Sequence, residues 1–356
     1  MGIVHPKYKV AAVQAAPIWL DLDATVDKTI DLIMEAASEG AKLIAFPETF
    51  IPGYPWYIWL ETPAAQIGRG YIRRYFDNSL SYQSPQADKI RAAIAQAEIT
   101  AVIGTSERSG GSLYMGQWII GPHGETIAQR RKLRPTHAER TIFGEGDGSD
   151  LAVHDLEGLG RVGALCCWEH FQPLSKYAMY AQNEQVHVAS WPSFSLYDPI
   201  APALGWEVNV AATRVYAVEG SCFVLAPCAI VSKEMFDEVC DTEEKKALLK
   251  QGGAYTMILG PDGSLLSKQL ATDQEGIVYA EIDLGAIGVA KNAADPAGHY
   301  SRPDVTRLLF NNKPSRRVEY FSLPVDSDDD QHFVSEENDI PIRDWPGFLR
   351  QAANRE

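Results

Sequence analysis

The sequence predicts an α/β protein in which helices cover mixed β-sheets. Short apolar segments of strand character alternate with segments whose apolar residues recur at helical spacing. Two similar turns, residues 121–124 (GPHG) and 260–263 (GPDG), each separate a pair of strand-like segments, as β-hairpin turns do. The chain has 356 residues, 46% of them hydrophobic, so it can bury a large core. Hairpins among alternating strands and helices indicate sheets with both parallel and antiparallel neighbours.

The first hundred residues contain two strand-like and two helix-like segments: strands at 8–15 and 42–46, and helices at 23–38 and from residue 85 to about 97. Asp23 is the predicted N-cap of the first helix, and Gly40 follows its end. Ser84 and Pro85 are typical of an N-cap and a first helical residue.

The rest of the chain continues the alternation, with the following predicted elements: hairpins at 113–132 and 255–268, strands at 161–167, 186–191 and 222–226, and helices near 173–184 and 202–218. In the last helix Leu204, Val208, Ala211, Val215 and Val218 recur with a helical period. Acidic residues become frequent beyond residue 322. We therefore predict a single domain over residues 1–320 and an acidic C-terminal tail over 321–356.

The composition indicates which classes of binding partner and which cellular compartment to expect for the protein. The formal net charge is −15, from 47 acidic residues against 32 Lys and Arg, which disfavours a nucleic-acid partner. Five cysteines without a C-x-x-C pair predict reduced thiols. The N-terminus lacks a signal-peptide pattern, and the longest apolar stretch, 222–231, is far below the roughly 20 residues of a membrane span. A soluble cytoplasmic protein with no membrane partner is expected.

Three reactive groups each follow a strand-like segment: Glu48, Lys132 and Cys167. Each alone has an ordinary structural explanation, since free cysteines pack in cores and buried carboxylates form ion pairs. A solvated basic edge would account for the lysine. Strand ends in an open α/β sheet, however, are where reactive groups are presented. A cysteine nucleophile needs a neighbouring base, which Glu48 could provide.

Other chemistries find little support in the sequence. The glycine cluster at 144–148 lacks the flanking strand and helix of a phosphate loop and its Gly-Lys-Ser/Thr ending. Potential metal ligands at 166–170 are too crowded for a zinc site, and the His-Glu-x-x-His pattern does not occur. The Gly-x-Ser-x-Gly pattern of a serine hydrolase does not occur either.

The combination of three motifs resembles the nitrilase superfamily, and more narrowly its bacterial and plant nitrilase branch. The motifs are 46–50 (FPETF), 130–140 (RRKLRPTHAER) and 167–170 (CWEH). Longer stretches also match: 50–55 (FIPGYP), 143–148 (FGEGDG), 185–192 (QVHVASWP) and 295–303 (DPAGHYSRP). The resemblance runs from about residue 8 to 310 and excludes the acidic tail. One departure is His170, where many members have Asn.

The resemblance implies a four-layer α-β-β-α sandwich and a set of catalytic roles. Cys167 is the implied nucleophile, Glu48 the general base and Lys132 the electrostatic stabiliser. Glu139 is the implied second glutamate, which orients the lysine or the hydrogen bonds on the substrate side. The resemblance also implies a homodimer that assembles into larger spiral homo-oligomers, and a reaction with no metal or organic cofactor.

These roles predict hydrolysis of a small-molecule nitrile to a carboxylic acid and ammonia through a thioimidate and a thioester on the cysteine. Aromatic residues cluster in sequence near the catalytic groups and predict the pocket wall. The candidate substrate-binding residues are Tyr54, Trp59, Trp168, Trp191 and His137. Such a wall favours arylacetonitriles or aliphatic nitriles over free cyanide.

Two alternatives remain open at this point. An amidase, a carbamoylase or a cyanide dihydratase of the same superfamily would use the same residues, because amides lead to the same thioester. A non-enzymatic, filament-forming homologue could keep the fold without the activity. The presence of all four catalytic residues argues against the second alternative.

Overall fold

The computed structural model of this protein describes residues 2–315 and Val318. The predicted domain boundary at residue 320 and the acidic tail at 321–356 lie outside the described residues. The strands, in chain order, are β1 (Lys7–Gln14), β2 (Ala41–Ala45), β3 (Thr100–Ser109), β4 (Ser112–Ile120), β5 (Thr126–Arg131), β6 (Phe143–Gly144), β7 (His154–Leu156), β8 (Gly160–Cys166), β9 (Val186–Ser190), β10 (Phe223–Ala226), β11 (Met257–Leu259) and β12 (Gly276–Asp283).

The helices, in chain order, are α1 (Leu22–Ser38), α2 (Tyr57–Leu60), α3 (Pro63–Gly68), α4 (Tyr71–Asn78), α5 (Pro85–Ala97), α6 (Pro173–Tyr180), α7 (Trp206–Gly220), α8 (Lys233–Val239), α9 (Glu243–Leu248) and α10 (Gly285–Ala293). Short 3₁₀ turns occupy His137–Thr141, Gly148–Asp150, Cys167–Phe171 and Pro202–Leu204. Among the described residues, no helix is both long and apolar enough to cross a membrane.

The strands form two mixed sheets, as the alternation and the hairpin turns predict. The first sheet has the order β12-β1-β2-β3-β4-β5, with β6 paired to β4, and the second has the order β11-β10-β9-β8-β7. In the first sheet β1, β2 and β3 are parallel neighbours, and in the second β8, β9 and β10 are parallel. The remaining pairs are antiparallel except β4 with β6.

Alternate residues of the strands enter different apolar layers, which builds a four-layer sandwich. In β1, Val10 and Ala12 pack against the second sheet, including Val188 of β9. Ala11 and Val13 face the opposite way, into a cluster with α1 and α5. The outer face of the second sheet packs against α6 and α7 in a third cluster. The predicted α-β-β-α architecture is therefore confirmed.

Local details differ from the predictions in three places. Asp21, not Asp23, caps α1, because its side chain accepts the hydrogen bond from Ala24 N–H and Asp23 lies in the first turn. The hairpin predicted at 255–268 has only one regular strand, β11, and its second arm forms a single bridge between Leu259 and Leu265. Strand β8 ends at Cys166, so Cys167 begins the following turn.

The apolar face of α7 is exposed rather than packed on the second sheet. Val208, Val215 and Val218 are 37%, 45% and 53% exposed. The buried face is instead formed by Asn209, Ala212, Thr213, Tyr216 and Ala217. The helical period is confirmed, but hydropathy alone does not identify the side of the helix that packs.

Candidate active site

Two carboxylates hold one lysine at the centre of the site. Lys132 Nζ lies 2.9 Å from Glu48 Oε1 and 2.8 Å from Glu139 Oε2, and all three side chains are almost completely buried. Glu139 also accepts hydrogen bonds from Tyr54 OH at 2.7 Å and from Thr136 N–H at 2.5 Å. Glu48 Oε2, in contrast, is buried with no hydrogen-bond partner among the described residues.

The backbone on both sides of this cluster is fixed by neighbouring strands. Lys132 directly follows β5, and its N–H donates to Met115 O of β4 at 2.7 Å. Glu48 lies in a loop after β2, and its N–H donates to Trp191 O at 3.3 Å. A Cβ at Gly104 in β3 would lie 1.9 Å from Pro47 O, so this loop can approach the sheet only because residue 104 is glycine.

Burial and neighbouring charges set the protonation of the cluster. Burial raises the pKa of Glu48 to about 8, although the Lys132 ammonium acts to lower it. Burial lowers the pKa of Lys132, but the two carboxylates outweigh it and leave that pKa well above its ordinary value. The lysine therefore stays charged, whereas Glu48 exchanges its proton near neutral pH.

Cys167 directly follows β8, and its backbone conformation is strained. Its φ is +46°, in the left-handed region that a non-glycine residue rarely adopts. Burial, and after it the charge of Glu48, raises the pKa of the thiol well above its ordinary value, while Lys132 acts to lower it. The resting group is therefore a thiol that needs a base. The adjacent Cys166 is fully buried in β8, with ordinary extended backbone.

A second buried ion pair supports the turn that carries Cys167. Arg130 contacts both oxygens of Glu169, the shortest distance being 2.7 Å from Nη2 to Oε1. Glu169 also accepts from Cys166 N–H at 2.7 Å and from Leu133 N–H at 2.8 Å. It therefore ties the residue before Cys167 to the residue after Lys132.

Gln117 of β4 extends this support across the two sheets. Its Oε1 accepts from Arg130 Nη1 at 2.7 Å, and its Nε2 donates to Ser190 Oγ of β9 at 2.8 Å. Ser190 in turn donates to Phe46 O at 2.9 Å, just before Glu48. The sequence analysis missed Arg130, Glu169 and Gln117. A signal was available, since Gln117 is a polar residue inside an otherwise apolar strand.

A narrow cavity of about 30 Å³ opens beside Cys167 and Glu139. Its remaining lining residues are mostly aromatic or apolar: Tyr54, Trp56, Trp59, Thr136, Trp168, Pro192, Ser193, Phe194, Leu196, Leu204 and Asn209. Of the predicted substrate-binding residues, Tyr54, Trp59 and Trp168 line this cavity. Asn209, which the sequence analysis missed, accepts from Trp168 Nε1 at 3.1 Å. The sequence gives no signal for Asn209, because the apolar stripe of α7 indicates the opposite face as the buried one.

The other two predicted substrate-binding residues lie next to the cavity rather than on its wall. Trp191 is buried and stacks on His170, with ring centroids 5.0 Å apart. His137 stacks on Trp59 at 5.4 Å and lines a neighbouring recess together with Trp168. Trp191 also contacts Phe194 of the wall, with ring centroids 5.4 Å apart, so both residues contact side chains that line the cavity.

Comparison with known protein sequences gives matches over most of the chain. The sequence profile of the carbon–nitrogen hydrolase family matches residues 9–292. A nitrilase of Pseudomonas syringae pv. syringae (strain B728a) is 59% identical over 90% of this chain and 95% of its own. An aliphatic nitrilase of Rhodococcus rhodochrous is 53% identical, over 87% and 84%. An arylacetone-specific nitrilase of Alcaligenes faecalis is 48% identical, over 92% of each chain.

Solved structures share the fold at low sequence identity. The Caenorhabditis elegans NitFhit protein superposes with a TM-score of 0.67 at 17% identity, covering 88% of this chain and 70% of that one. A carbon–nitrogen hydrolase of Helicobacter pylori G27 has a TM-score of 0.64 at 16% identity, covering 84% and 96%. These similarities support the same sandwich architecture.

Proposed function

We propose that this chain, which belongs to the carbon–nitrogen hydrolase family and to its nitrilase branch, hydrolyses organic nitriles through a covalent intermediate on Cys167. As a member of this branch it is a hydrolase that converts a nitrile to a carboxylic acid and ammonia. The observation that carries the proposal for the site is the hydrogen-bonding of Glu48. Its Oε1 is held by Lys132 and its Oε2 has no partner among the described residues, so this carboxylate has a free position for the thiol proton.

The first half of the reaction forms the carbon–sulfur bond. Glu48 takes the proton of the Cys167 thiol as Sγ attacks the nitrile carbon, because a thiol with a raised pKa needs a base. The electrons of one C–N π bond move to nitrogen, which takes the proton back from Glu48 to give the thioimidate. The Lys132 ammonium stabilises the negative charge that develops on nitrogen.

The second half releases both products. Water adds to the thioimidate carbon while Glu48 takes one of its protons and passes it to nitrogen, which gives a tetrahedral intermediate with one hydroxyl and one amino group. Glu48 then takes the hydroxyl proton and passes it to nitrogen as the C–N bond breaks, so that ammonia leaves and the C=O of the thioester forms. The resulting thioester is attacked by a second water in the same way. The C–S bond then breaks, the acid leaves and the thiol regains its proton. A carboxyl with a pKa near 8 suits this repeated exchange.

The cavity wall supports an organic side chain on the nitrile. Tyr54, Trp59, Trp168 and Phe194 offer flat apolar surface. We infer that the substrate is an arylacetonitrile or an aliphatic nitrile, in keeping with the aliphatic and arylacetone-specific nitrilases among the relatives. Free cyanide would leave this surface uncovered.

We further propose a homodimer that buries the exposed apolar face of α7. Val208 and Val215 of that face line a groove together with Phe171, and Leu174 and Trp206 are exposed as well. Clustered exposed apolar side chains are typical of an interaction surface. A second copy, related by a twofold axis, would cover it, and larger spirals would use further surfaces. Sedimentation velocity tests the dimer: we expect the Val215→Glu variant to sediment more as a monomer than the wild type does.

Five buried free thiols support a reducing, cytoplasmic location.

The activity is tested by ammonia release from a matched panel of phenylacetonitrile, an aliphatic dinitrile, cyanide and the corresponding amides. We expect release from the nitriles with the wild type and none with Cys167→Ala. Release from the amides alone would indicate an amidase, and equal release by the two proteins would reject Cys167 as nucleophile.

A further inference from the structure

A chain of four buried side chains runs from the backbone of Cys167 into the second sheet. His170 Nδ1 lies 2.6 Å from Cys167 O, and His170 Nε2 lies 2.9 Å from His187 Nε2. His187 Nδ1 lies 2.7 Å from Glu184 Oε1, and Tyr216 OH donates to Glu184 Oε2 at 2.6 Å. The mechanism above uses none of the last three residues, yet all of them are at most 1% exposed.

The hydrogen-bond geometry fixes the number of protons in this chain. The carbonyl oxygen of Cys167 can only accept, so His170 Nδ1 must carry a proton. With both imidazoles neutral, His170 Nε2 then accepts from His187 Nε2–H, and His187 Nδ1 is left as an acceptor. The hydrogen bond to Glu184 therefore requires a proton on that carboxyl. With one proton fewer, one of these three contacts, all of them 2.9 Å or shorter, would bring the lone pairs of two acceptor atoms together without a hydrogen between them.

The surroundings favour the neutral form of the chain. Burial raises the pKa of Glu184 to about 8, and burial lowers the pKa of His170 to about 3 and that of His187 well below its ordinary value. The carboxyl also has a dedicated space, since a Cβ at Gly163 of β8 would lie 2.1 Å from Glu184 Oε1. The Glu184 carboxyl therefore packs closely against β8.

Other titratable groups face the chain from each neighbouring element. They are Tyr180 and Lys176 of α6, Glu219 of α7, Arg130 of β5, Glu169 of the 167–171 turn, and Cys222 before β10. Lys176 is paired with Glu219 at 2.5 Å and Arg130 with Glu169 at 2.7 Å, so neither cation contacts the carboxyl of Glu184. Among the described residues, the Tyr216 hydroxyl alone favours the ionised form of Glu184 by a hydrogen bond.

We propose that Glu184 is a positioning residue, which acts as a protonated carboxyl through His187 and His170 to hold the carbonyl of Cys167. The inference rests on the proposed role of Cys167 as nucleophile. By fixing the carbonyl, the chain stabilises the left-handed backbone at φ +46° on which the thiol stands. Glu184 contacts neither substrate nor thiol, so it directs the nucleophile only through the other two residues.

This arrangement predicts a loss of activity at alkaline pH. The protonated form of Glu184 is the active one, so its contribution is complete at low pH and is lost as pH rises through about 8. Loss of the proton removes one hydrogen bond of the chain and releases the Cys167 carbonyl. The alkaline fall in kcat/KM is the observable consequence.

Three variants at this chain separate the proposal from a merely structural role. Glu184→Gln keeps a donor toward His187 and an acceptor for Tyr216, so it should retain activity close to the wild type and lose the alkaline fall. Glu184→Ala removes the donor and should lower kcat/KM for phenylacetonitrile by about 10- to 100-fold, with most of the loss in kcat. Tyr216→Phe removes the donor that favours ionisation, so its alkaline fall should move to higher pH.

Two kinetic results would overturn the proposal. The first is a Glu184→Gln variant as inactive as Glu184→Ala, which would mean that an ionised carboxylate is required. The second is a Glu184→Ala variant with wild-type kinetics. A readout without substrate comes from infrared difference spectra of the wild type against Glu184→Gln. We expect the C=O band of a protonated carboxylic acid at pH 6, and its absence would also reject the proposal. A wild type inactive on every nitrile would reject the proposed function instead, and the infrared result would still decide the protonation of Glu184.

Discussion

Two buried ion-pair clusters, one of Arg130 with Glu169 and one of Lys132 with Glu48 and Glu139, differ in how completely their carboxylates are hydrogen-bonded. Both oxygens of Glu169 contact Arg130, and two backbone N–H groups add to them. Although burial raises the pKa of Glu169, the Arg130 guanidinium and these hydrogen bonds hold it below its ordinary value. Glu48 has one such partner, Lys132, and burial raises its pKa to about 8.

The difference shows how one buried region can hold both a fixed and an exchangeable carboxylate. Four hydrogen-bond donors keep Glu169 ionised, so it ties β5, β8 and the 167–171 turn together without changing its charge. Glu48 has one oxygen without a partner among the described residues, and its raised pKa of about 8 fits the proton exchange proposed for it. The number of hydrogen-bond donors around each carboxylate, rather than its burial, determines whether the carboxylate is held in the ionised form.

The largest effect is expected from Glu48→Gln, which keeps the shape of the side chain and removes the base. We expect kcat to fall by about 10²- to 10⁴-fold. The free energy of unfolding should stay close to that of the wild type, since a carboxylate whose ionised form is disfavoured by burial is replaced by a neutral group. Kinetics and urea denaturation of the same preparation measure both quantities. A stable variant with wild-type kcat would remove Glu48 from the mechanism.

Breaking the other cluster should mainly affect stability. In Arg130→Met, Glu169 becomes a buried carboxylate without its cation, and we expect a loss of about 3–5 kcal/mol in the free energy of unfolding. Arg134→Met is the control, because both side chains of its pair with Glu145 are largely exposed and that pair should contribute about 1 kcal/mol or less. Urea denaturation compares the two. Equal losses would mean that the 130–169 pair does not have the supporting role described.

Tyr54→Phe should have an intermediate effect on activity. It removes one of the donors to Glu139 and frees that carboxylate to shift away from Lys132. A hydrogen bond to a charged group contributes about 1.5–3 kcal/mol, which corresponds to a 10- to 100-fold fall in kcat/KM. Trp59→Phe also loses a bond to the Tyr54 hydroxyl but not the one to Glu139, and it should fall less. The reverse order of the two variants would contradict the assigned role of Glu139.

The pH dependence gives the smallest but most specific effect. Because ionised Glu48 is the base, kcat/KM should rise about tenfold per pH unit below its pKa near 8. Glu184 acts in the opposite direction over the same range, so the wild-type profile should be bell-shaped. The Glu184→Gln variant should show the rise alone. A flat acid limb would mean that another group accepts the thiol proton.

The layers of the fold, and the proximity of Glu48, Lys132 and Glu139, could be predicted from the sequence better than the groups that support them. Glu48, Lys132 and Cys167 stand at strand ends, where turn residues and motif spacing are visible in the sequence. The packing of α7 was not predictable from hydropathy. Its buried face carries Asn209 and Tyr216, whose polar atoms are hydrogen-bonded, while its apolar stripe is exposed.

The supporting network is also hidden from sequence because its members come from distant segments. Gln117, Arg130 and Ser190 are separated by 13 to 73 residues and meet only when the two sheets pack together. Glu184 and His187 occupy a segment that reads as a loop and a buried strand. No local pattern indicates that Tyr216 completes their hydrogen bonds.

The most direct test of the central claim, that Cys167 rather than its neighbour Cys166 is the nucleophile, is peptide mass mapping after reaction with phenylacetonitrile and an acid quench. We expect a thioimidate or thioester adduct on Cys167 in the wild type and in Cys166→Ala, and none in Cys167→Ala. An adduct on Cys166, or ammonia release by Cys167→Ala at the wild-type rate, would contradict the account.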